Sequence, residues 1–354
     1  MHVLGADYLQ WRSITCTAPI RAQMDLVTGG TGIVGAHVLD ALLSQGRAVR
    51  ALRRKGSDSA IVEQILRHYH PDGSERFHRI QWVEGDLFDA DALRDAMHEV
   101  EHVHHCAALV SFDPRDAHDL QRTNVDGTAN VVDAALETGV KRLCHVSSTA
   151  TIGGGLDGGT GDETKPFVQD EHSSGYAISK ADAELEVHRG IAEGLDAVMV
   201  NPCVVIGPGM PGRSTMTMIA RVRKGSLLFP GGTNAVVDAR DVATAMIRLV
   251  EEGTTGERYL LIGEEISYRK LFTLIARSAG KPAPSVELPA WALELGWRAE
   301  SVRTAFGGRP LITRHTARTA SRIRHYDGSK AEKLLGMRFR STEEAVANVA
   351  GFLG

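Results

Sequence analysis

The chain has 354 residues, 43% hydrophobic and 24% charged, which is enough for one large domain and a smaller one around a sizeable core. Its 40 basic and 44 acidic residues give a net charge of −4, so nothing draws the whole chain to nucleic acid or anionic lipid. No apolar run approaches the roughly 18 residues that span a bilayer, and the four cysteines lack CxxC spacing, so we expect a cytoplasmic protein without membrane insertion.

The first 23 residues show no clear period and lack the compact apolar stretch of a secretory signal. We expect residues 1–23 to form a loose extension, because a clean strand begins directly after them. Met24 is therefore a candidate for the working start of the protein.

From Met24 onward, short β-branched runs alternate with longer stretches of helical period, which is the pattern of βαβ units in a parallel sheet. Six strands are predicted, at 25–28, 48–53, 79–83, 102–107, 142–147 and 197–200. Each gap between them is long enough for a crossover helix. The sequence therefore predicts an α/β fold, a Rossmann-type doubly wound parallel sheet, for residues 24–206.

The alternation becomes irregular after residue 206. Glycine and proline are dense over 207–232, and a strand at 236–238, a helix from Arg240 and a strand around 259–262 follow. We expect residues 233–264 to return to the first domain. Residues 207–232 and 265–354 are predicted to form a smaller, mainly helical substrate-binding domain, with helices at 268–279, 289–306, 329–335 and 342–352.

A glycine-rich loop follows the first strand and opens the first helix, and residues 28–35 read TGGTGIVG. Gly29 allows a tight turn, Gly32 lets the backbone approach a pyrophosphate, and Gly35 lets the helix pack close to the sheet. A P-loop is excluded because no GK[ST] ending is present. We expect Thr31 and Ile33 to line the dinucleotide site together with these glycines.

The end of the second strand is basic. An NAD site usually places an acidic residue there to bind the ribose 2′-hydroxyl, but no acid lies between Asp40 and Asp58. Arg53 instead offers a bidentate fork to a 2′-phosphate, with Arg54 beside it. NADP(H) is therefore the preferred cofactor. NAD(H) stays open, since the same residues are compatible with a solvated basic patch.

Tyr176 and Lys180 lie one turn apart at the start of a predicted helix that continues to about residue 192. A cation about 4 Å from a phenol would lower its pKa from about 10 toward neutrality. Tyr176 is therefore a candidate acid/base. A tyrosine and a lysine at this spacing are common on helices, so the pair has meaning only with the other motifs.

The fifth predicted strand ends in a run of hydroxyl side chains, Ser147-Ser148-Thr149, followed by Ala150 and Thr151. Ligands of doubly wound folds bind at this carboxyl edge of the sheet. One of these hydroxyls is expected to hold a substrate carbonyl oxygen, while the others satisfy backbone groups at the strand end.

From Met24 to the end, the chain resembles the extended short-chain dehydrogenase/reductase family, within the NAD-dependent epimerase/dehydratase superfamily. Several independent motifs carry this resemblance besides the glycine loop and the YxxxK pair. They are Gly85-Asp86-Leu87, Cys106-Ala107-Ala108, Asn124-Val125-Asp126-Gly127-Thr128, Ser147-Ser148-Thr149 and Asn201-Pro202-Cys203-Val204-Val205-Ile206-Gly207-Pro208.

The resemblance implies a role for each matching residue at the reactive end. Tyr176 would be the acid/base, and Lys180 would bind the nicotinamide ribose and lower the tyrosine pKa. Thr149 would take the family's Ser/Thr place, and Asn124 would support the active-site strand.

Along the rest of the cofactor, the resemblance places Asp86 and Leu87 against adenine. Ala107 and Ala108 would line the cofactor groove. The final pair, Pro202 and Val205, would flank the nicotinamide.

The basic pair after the second strand and the run VDARDV at 237–242 look closest to the branch with dihydroflavonol 4-reductases and related ketone or aldehyde reductases. We therefore predict reversible hydride transfer between NADP(H) and a small-molecule carbonyl or alcohol. Two alternatives stay open: an NAD-dependent nucleotide-sugar epimerase, and a sensor that binds NADP without turnover. A second copy of the chain is one expected partner.

Two further patterns are compatible with a structural interpretation. The run His102-Val103-His104-His105 points its side chains to alternating faces of a strand, so we assign no metal. Apolar residues at 210, 216, 218, 229 and 291 favour an apolar or aromatic substrate, although the same side chains are compatible with a core.

Overall fold

The computed structural model describes residues 23–155 and 158–354. The predicted N-terminal extension, apart from Gln23, lies outside the described residues, as do Leu156 and Asp157 in the glycine-rich stretch after the fifth strand.

Strands and helices alternate through the first two thirds of the described chain. The strands are β1 (Met24–Thr28), β2 (Ala48–Arg53), β3 (Gln81–Glu84), β4 (His102–His105), β5 (Arg142–Val146), β6 (Ala197–Pro202), β7 (Val204–Ile206), β8 (Leu228–Pro230), β9 (Thr233–Asp238), β10 (Arg258–Leu261), β11 (Glu264–Ser267) and β12 (Val286–Leu288). The helices are α1 (Ile33–Ser44), α2 (Ala60–Tyr69), α3 (Gly73–His78), α4 (Ala90–Met97), α5 (Ala117–Leu120), α6 (Gly127–Thr138), α7 (Gly175–Ala192), α8 (Ser214–Arg223), α9 (Ala239–Glu252), α10 (Tyr268–Ser278), α11 (Ala290–Ala305), α12 (Arg314–Ala320), α13 (Ser329–Leu335) and α14 (Thr342–Leu353).

The central sheet has seven strands in the order β3-β2-β1-β4-β5-β6-β10, and every neighbouring pair is parallel. The strand order reverses between β1 and β4, which places a crevice at their carboxyl ends. This arrangement confirms the predicted Rossmann-type fold.

The sheet is covered on both faces because its side chains alternate. Val27 belongs to one buried cluster, formed with α1, α2 and α9, while Leu26 belongs to a second, formed with α4, α6 and α7. The inner strands are thus buried on both sides, as expected for a parallel sheet between two helical layers, while the edge strand β3 is partly exposed.

The six predicted strands are all present, with small shifts at their ends. β3 begins at residue 81, two residues late, because α3 and the turn after it occupy residues 73–80; the Ile80 N–H donates to the Phe77 carbonyl at 3.2 Å. The predicted strand around 259–262 is β10, the seventh strand of the central sheet.

After β6, four short strands were not predicted from the sequence: β7, β8, β11 and β12. β9 pairs with β7 and β11 in a separate three-stranded sheet, while α9 packs on α1 and β10 joins the central sheet. The proposed division into two domains stays a prediction. Among the described residues, none of the helices has the length and apolarity required to cross a membrane.

Candidate active site

The glycine loop after β1 forms a cradle that larger residues would fill. Gly29 has a φ of +66°, and a methyl group there would lie 2.6 Å from the backbone nitrogen of Ala107. A methyl group on Gly35 would lie 2.3 Å from the Gly29 carbonyl oxygen. Since such contacts force the backbone to move, the tight turn requires glycine at both positions.

This cradle fits a dinucleotide pyrophosphate. Gly32 is the N-cap of α1 and offers no side-chain cap, so the backbone N–H groups of the first turn, which includes Ile33, stay free to face an anion. Thr31 lies half-buried in the same loop. Across the crevice, Ala107 donates its N–H to the Thr28 hydroxyl at 3.3 Å, which fixes the loop after β4 against the glycine turn.

The other residues predicted along the cofactor also lie at the carboxyl edge of the sheet. Ala108 is exposed in the loop after β4, and Asp86, directly after β3, accepts the Phe88 N–H at 3.2 Å. Pro202 is buried at the end of β6, and Val205 is half-buried in β7. The structure therefore brings them to one edge, while their contacts with a cofactor stay predictions.

Arg53 is half-buried at the end of β2 and partly held by its neighbours. Its guanidinium lies 5.7 Å from the centre of the Trp82 ring, and its Nη1 lies 3.3 Å from the Ser59 hydroxyl. Arg54 and Lys55 follow it and are exposed. A cation is thus present where the second strand ends, at the predicted site of a 2′-phosphate.

Tyr176 lies in the first turn of α7, whose N-terminus is capped by Ser174. The phenol hydrogen-bonds to Ser148, and its ring meets the Phe112 ring edge-on, with centroids 5.7 Å apart. Thr149, the residue expected from the family resemblance, begins the next turn and is 8% exposed. Ser148 is therefore a site residue that the sequence analysis did not single out among three successive hydroxyls.

The pKa of the Tyr176 phenol differs from the expected direction. Burial raises it above its usual value, and the hydrogen bond from Ser148 lowers it only in part. We expected Lys180 to lower it, but the lysine side chain points to another partner. The phenol consequently stays protonated at neutral pH.

Lys180 is 1% exposed, and its ammonium donates to Nε2 of His145 on β5 at 3.0 Å. Burial lowers the pKa of Lys180 to about 8, while the negative charge of Glu184 acts in the opposite direction. His145 in turn packs against His105 on β4, with ring centroids 5.2 Å apart. Neither histidine was predicted as a site residue: strand alternation gave His105 a structural interpretation, and His145 was not singled out.

The hydroxyls of Ser147 and Thr151, which also follow β5, bond to a buried carboxylate. The buried carboxylate of Glu184 accepts hydrogen bonds from Ser147, from Thr151 at 2.7 Å and from the Asn201 amide at 2.7 Å. Arg258 lies 3.4 Å away on the other side of the carboxylate. Ser147 and Thr151 are thereby occupied, and the Ser148 oxygen accepts the Ala150 N–H at 3.2 Å, which leaves the Ser148 hydroxyl hydrogen and Thr149 for the site.

Asn124 lies in a π-helical stretch between α5 and α6. Its amide accepts the Leu109 N–H at 2.7 Å and donates to the Leu109 carbonyl at 3.0 Å and the Ser179 hydroxyl at 2.9 Å. Because all these contacts are structural, Asn124 ties the loop after β4 to α7.

A cavity of about 270 Å³ opens at the N-terminus of α7, where Ser174 and Gly175 line it and Tyr176 does not. Phe112 and His315 form one wall, with their rings stacked 5.4 Å apart, and Phe112 also touches the Tyr176 ring. The rim carries His172 and Arg318, whose side chains contact each other at 2.7 Å. The cavity therefore combines an aromatic wall with a polar entrance.

The apolar residues that we associated with the substrate lie elsewhere. Met216 and Phe229 are 2% and 4% exposed and belong to the interior, while Trp291 is 68% exposed on α11. Met210 and Met218 pack against buried clusters. The core interpretation, which the sequence left open, holds for these four buried or partly buried residues.

The strand order, the glycine cradle and the cation at the end of β2 together define an NAD(P)-dependent enzyme of the Rossmann class. The chain belongs to the NAD dependent epimerase/dehydratase family, whose sequence model matches residues 26–262. This finding confirms the family inferred from the motifs.

Relatives along almost the whole chain include a putative dihydroflavonol 4-reductase of Synechocystis sp., 34% identical over 329 residues that cover 91% of this chain and 92% of the relative. Sterol demethylase protein B of Methylococcus capsulatus is 29% identical over 338 residues, 92% of this chain and 97% of the relative. The predicted similarity to dihydroflavonol 4-reductases is thus confirmed.

Among solved structures, gox2253 matches 94% of this chain and 98% of its own, with a TM-score of 0.77 and 32% identity. A UDP-glucose 4-epimerase of Thermotoga maritima matches with a TM-score of 0.72 at 21% identity, which shows the common fold alone.

Proposed function

We propose that this protein is an NADP(H)-dependent oxidoreductase that reduces a ketone or aldehyde, or oxidises the corresponding alcohol. The observation that carries the proposal is the position of the protonated Tyr176 phenol. It interacts with Ser148 and meets Phe112, a wall residue of the cavity, one helical turn from a buried lysine.

When bound, the nicotinamide supplies or accepts a hydride at the substrate carbon. Tyr176 donates its phenolic proton to the carbonyl oxygen as the alcohol forms, and it takes that proton back in the reverse direction. At neutral pH the acid form of the phenol is present, which is the form that the reductive direction requires.

Thr149 is proposed to orient the carbonyl oxygen by a hydrogen bond, as the family resemblance implies. Ser148 is the second candidate because its hydroxyl already bonds to the phenol. Replacing each hydroxyl separately, with Thr149→Val and Ser148→Ala, assigns the role to the residue whose loss reduces kcat more.

The glycine cradle is proposed to hold the pyrophosphate, and Lys180 to hold the nicotinamide ribose. Arg53 supports a preference for NADP(H) over NAD(H), because a guanidinium pairs well with the 2′-phosphate dianion. An NAD site instead needs a carboxylate that accepts a hydrogen bond from the ribose 2′-hydroxyl, which a guanidinium does not provide. Arg54 is the second cation proposed there.

The cavity at the N-terminus of α7 supports an aromatic or otherwise apolar carbonyl substrate, since Phe112 and His315 form its wall and Phe112 also contacts the Tyr176 ring. The similarity to a putative dihydroflavonol 4-reductase agrees with such a substrate. The cysteine pattern further supports a reducing compartment such as the cytoplasm. We also propose that the protein forms a homodimer.

The proposal is tested by following NADPH oxidation with a panel of ketones, aldehydes and sugar nucleotides, with NADH in parallel. Tyr176→Phe is expected to lower kcat by roughly 100-fold to 10,000-fold, the usual contribution of a general acid. Its affinity for NADPH, measured by fluorescence titration, should be nearly intact.

Tyr268→Phe provides the matched control, because Tyr268 is also largely enclosed but bonds to Asn234 in the three-stranded sheet region. Its kcat should equal that of the unchanged protein. Unchanged turnover in Tyr176→Phe would overturn the mechanism. Purification with stoichiometric NAD and activity on a sugar nucleotide would favour the epimerase alternative, and NADPH binding without any turnover would favour the sensor.

A further inference from the structure

The ammonium of Lys180 reaches a buried imidazole. Its Nζ lies 3.0 Å from Nε2 of His145, and the two residues are 1% and 0% exposed. An ammonium can only donate, so Nε2 of His145 must accept and cannot carry a hydrogen. His145 is therefore a neutral imidazole with its hydrogen on Nδ1.

The Nδ1 hydrogen of His145 has no hydrogen-bond partner among residues 23–155 and 158–354. A buried N–H without a partner is unfavourable, and a hydrophobic residue of similar size would avoid it. Packing alone therefore does not explain a histidine at this position, whereas the bond to Lys180 does.

His105 provides the surface on which His145 lies, and its own hydrogen can be assigned from the surrounding bonds. The Thr128 hydroxyl donates to the Asn124 carbonyl at 2.6 Å, so its oxygen must accept from Nε2 of His105 at 3.0 Å. Nδ1 of His105 then accepts the Thr28 hydroxyl hydrogen at 2.7 Å. His105 is thus neutral, fully bonded and fixed in orientation.

We propose that His145 is a positioning residue that holds the Lys180 ammonium in place for the cofactor ribose, with His105 fixing the plane of its ring. This inference rests on the proposed function, in which Lys180 contacts the ribose. His145 touches neither the substrate carbon nor the phenol; it acts through the lysine.

Other ionisable groups near Lys180 do not replace this contact. Glu184, one turn later on α7, interacts with the ammonium only through space and stabilises its charge. Burial raises the pKa of Cys106 beyond the physiological range, so the thiol stays neutral. Among the described side chains, the hydrogen bond from Lys180 goes to His145.

The first experiment reads the tautomer directly. Protein labelled with ¹⁵N-histidine is examined by two-dimensional NMR from pH 5 to pH 8, and the His145 signal is assigned by its loss in His145→Gln. We expect the Nδ1–H tautomer without titration over this range, because burial and the charge of Lys180 lower the pKa of His145 well below 6.5. An Nε2–H tautomer, or a ring that titrates in this range, would overturn the proposal.

The second experiment measures NADPH affinity by fluorescence titration as a function of pH in two variants. His145→Leu removes the acceptor, and we expect roughly tenfold weaker binding at pH 7, as for the loss of one hydrogen bond to a charged group. Binding should also weaken at a lower pH than in the unchanged protein, because a buried ammonium without an acceptor loses its proton more readily.

His145→Gln is the matched variant, since its side-chain oxygen can accept from Lys180. Affinity and pH profile should return to within about threefold of the unchanged protein. If Gln and Leu give the same loss, or if neither changes binding, His145 does not position the lysine.

Neither experiment needs turnover, so failure of the positioning role and failure of the proposed reaction can be distinguished. Failure of every carbonyl substrate would overturn the reductase assignment and leave the tautomer and the NADPH affinities as measured. Conversely, normal turnover in His145→Leu with normal NADPH affinity would overturn the positioning role and leave the reductase intact.

Discussion

The two ends of the central sheet hold buried histidines in different electrostatic surroundings. Toward the amino ends of the strands, His104 lies 3.1 Å from the Asp25 carboxylate, and Arg47 contacts the same carboxylate at 2.7 Å. At the carboxyl ends, His105 is bonded to threonine hydroxyls and His145 to an ammonium. His104 and His105 are neighbours on one strand, yet they point to opposite faces.

This difference indicates how the sheet separates stability from activity. At the amino ends, a carboxylate is neutralised by its surroundings, so its loss leaves a buried cation without a partner. At the carboxyl ends, neutral imidazoles leave the charge of Lys180 available to a ligand. Substitutions at the first end should therefore reduce stability, and those at the second should reduce binding and turnover.

The largest effect is expected for Asp25→Asn. Arg47 is nearly buried and would lose its main partner, which costs about 3–5 kcal/mol in the free energy of unfolding when a buried ion pair is broken from one side. Urea unfolding measures this change, while kcat per folded molecule should stay the same.

Glu251→Gln is its control, because Glu251 contacts Arg47 at 3.2 Å but is 54% exposed. Exposed pairs contribute less than about 1 kcal/mol. A large fall in kcat of folded Asp25→Asn would remove the distinction between the two ends of the sheet.

At the carboxyl ends, Arg53→Ala is expected to change cofactor choice. Loss of a charge-assisted hydrogen bond costs about 1.5–3 kcal/mol, so NADPH affinity should fall roughly tenfold to a hundredfold while NADH affinity changes little. Fluorescence titration with both cofactors measures the ratio.

Arg54→Ala, measured alongside, shows which guanidinium reads the phosphate. An equal loss for NADPH and NADH in Arg53→Ala would mean that this arginine supports the loop and does not select the cofactor.

A smaller effect should appear on acidification. Burial on its own would raise the pKa of Asp25, but hydrogen bonds from His102 and His104 and the charge of Arg47 outweigh it and lower the pKa to about 2. A lowered carboxyl pKa adds stability above the unfolded value near 4 and loses it as the pH falls toward 2, here about 2 kcal/mol. The free energy of unfolding, measured with urea between pH 6 and pH 3, should therefore fall more steeply with pH in the unchanged protein than in Asp25→Asn. An equal pH dependence in the two proteins would contradict this assignment.

The sequence predicted the sheet well because its inner strands are buried on both faces and carry a local signal. The glycine loop and the YxxxK pair are likewise local, since one turn or one helix contains all their residues. The direction of a phenol pKa is different: it depends on how deeply Tyr176 is enclosed and on where Lys180 points, and both follow from contacts with distant strands.

The same limit applies to the residues that were missed. Ser148 and Thr149 are adjacent and chemically alike, so only the backbone turn after β5 distinguishes their directions. His145 reads as an ordinary strand residue until α7 brings Lys180 against it. The cavity wall joins Phe112 to His315, about 200 residues apart in the chain, and no local pattern connects them.

The smallest predicted effect compares one substitution at two helical glycines. Gly296 lies in α11, where Leu293 is the only buried residue, and a methyl group on Gly296 would meet no heavy atom within 4 Å. Gly296→Ala should therefore raise the free energy of unfolding by about 0.5–1 kcal/mol through helix propensity and leave NADPH affinity unchanged. Gly35→Ala has the opposite sign, because its methyl group would lie 2.3 Å from the Gly29 carbonyl oxygen and displace the cofactor turn. Thermal unfolding and NADPH titration measure both properties. If the two variants changed stability and NADPH affinity in the same direction, helix propensity would explain the glycines of the loop and close approach of the backbone would not.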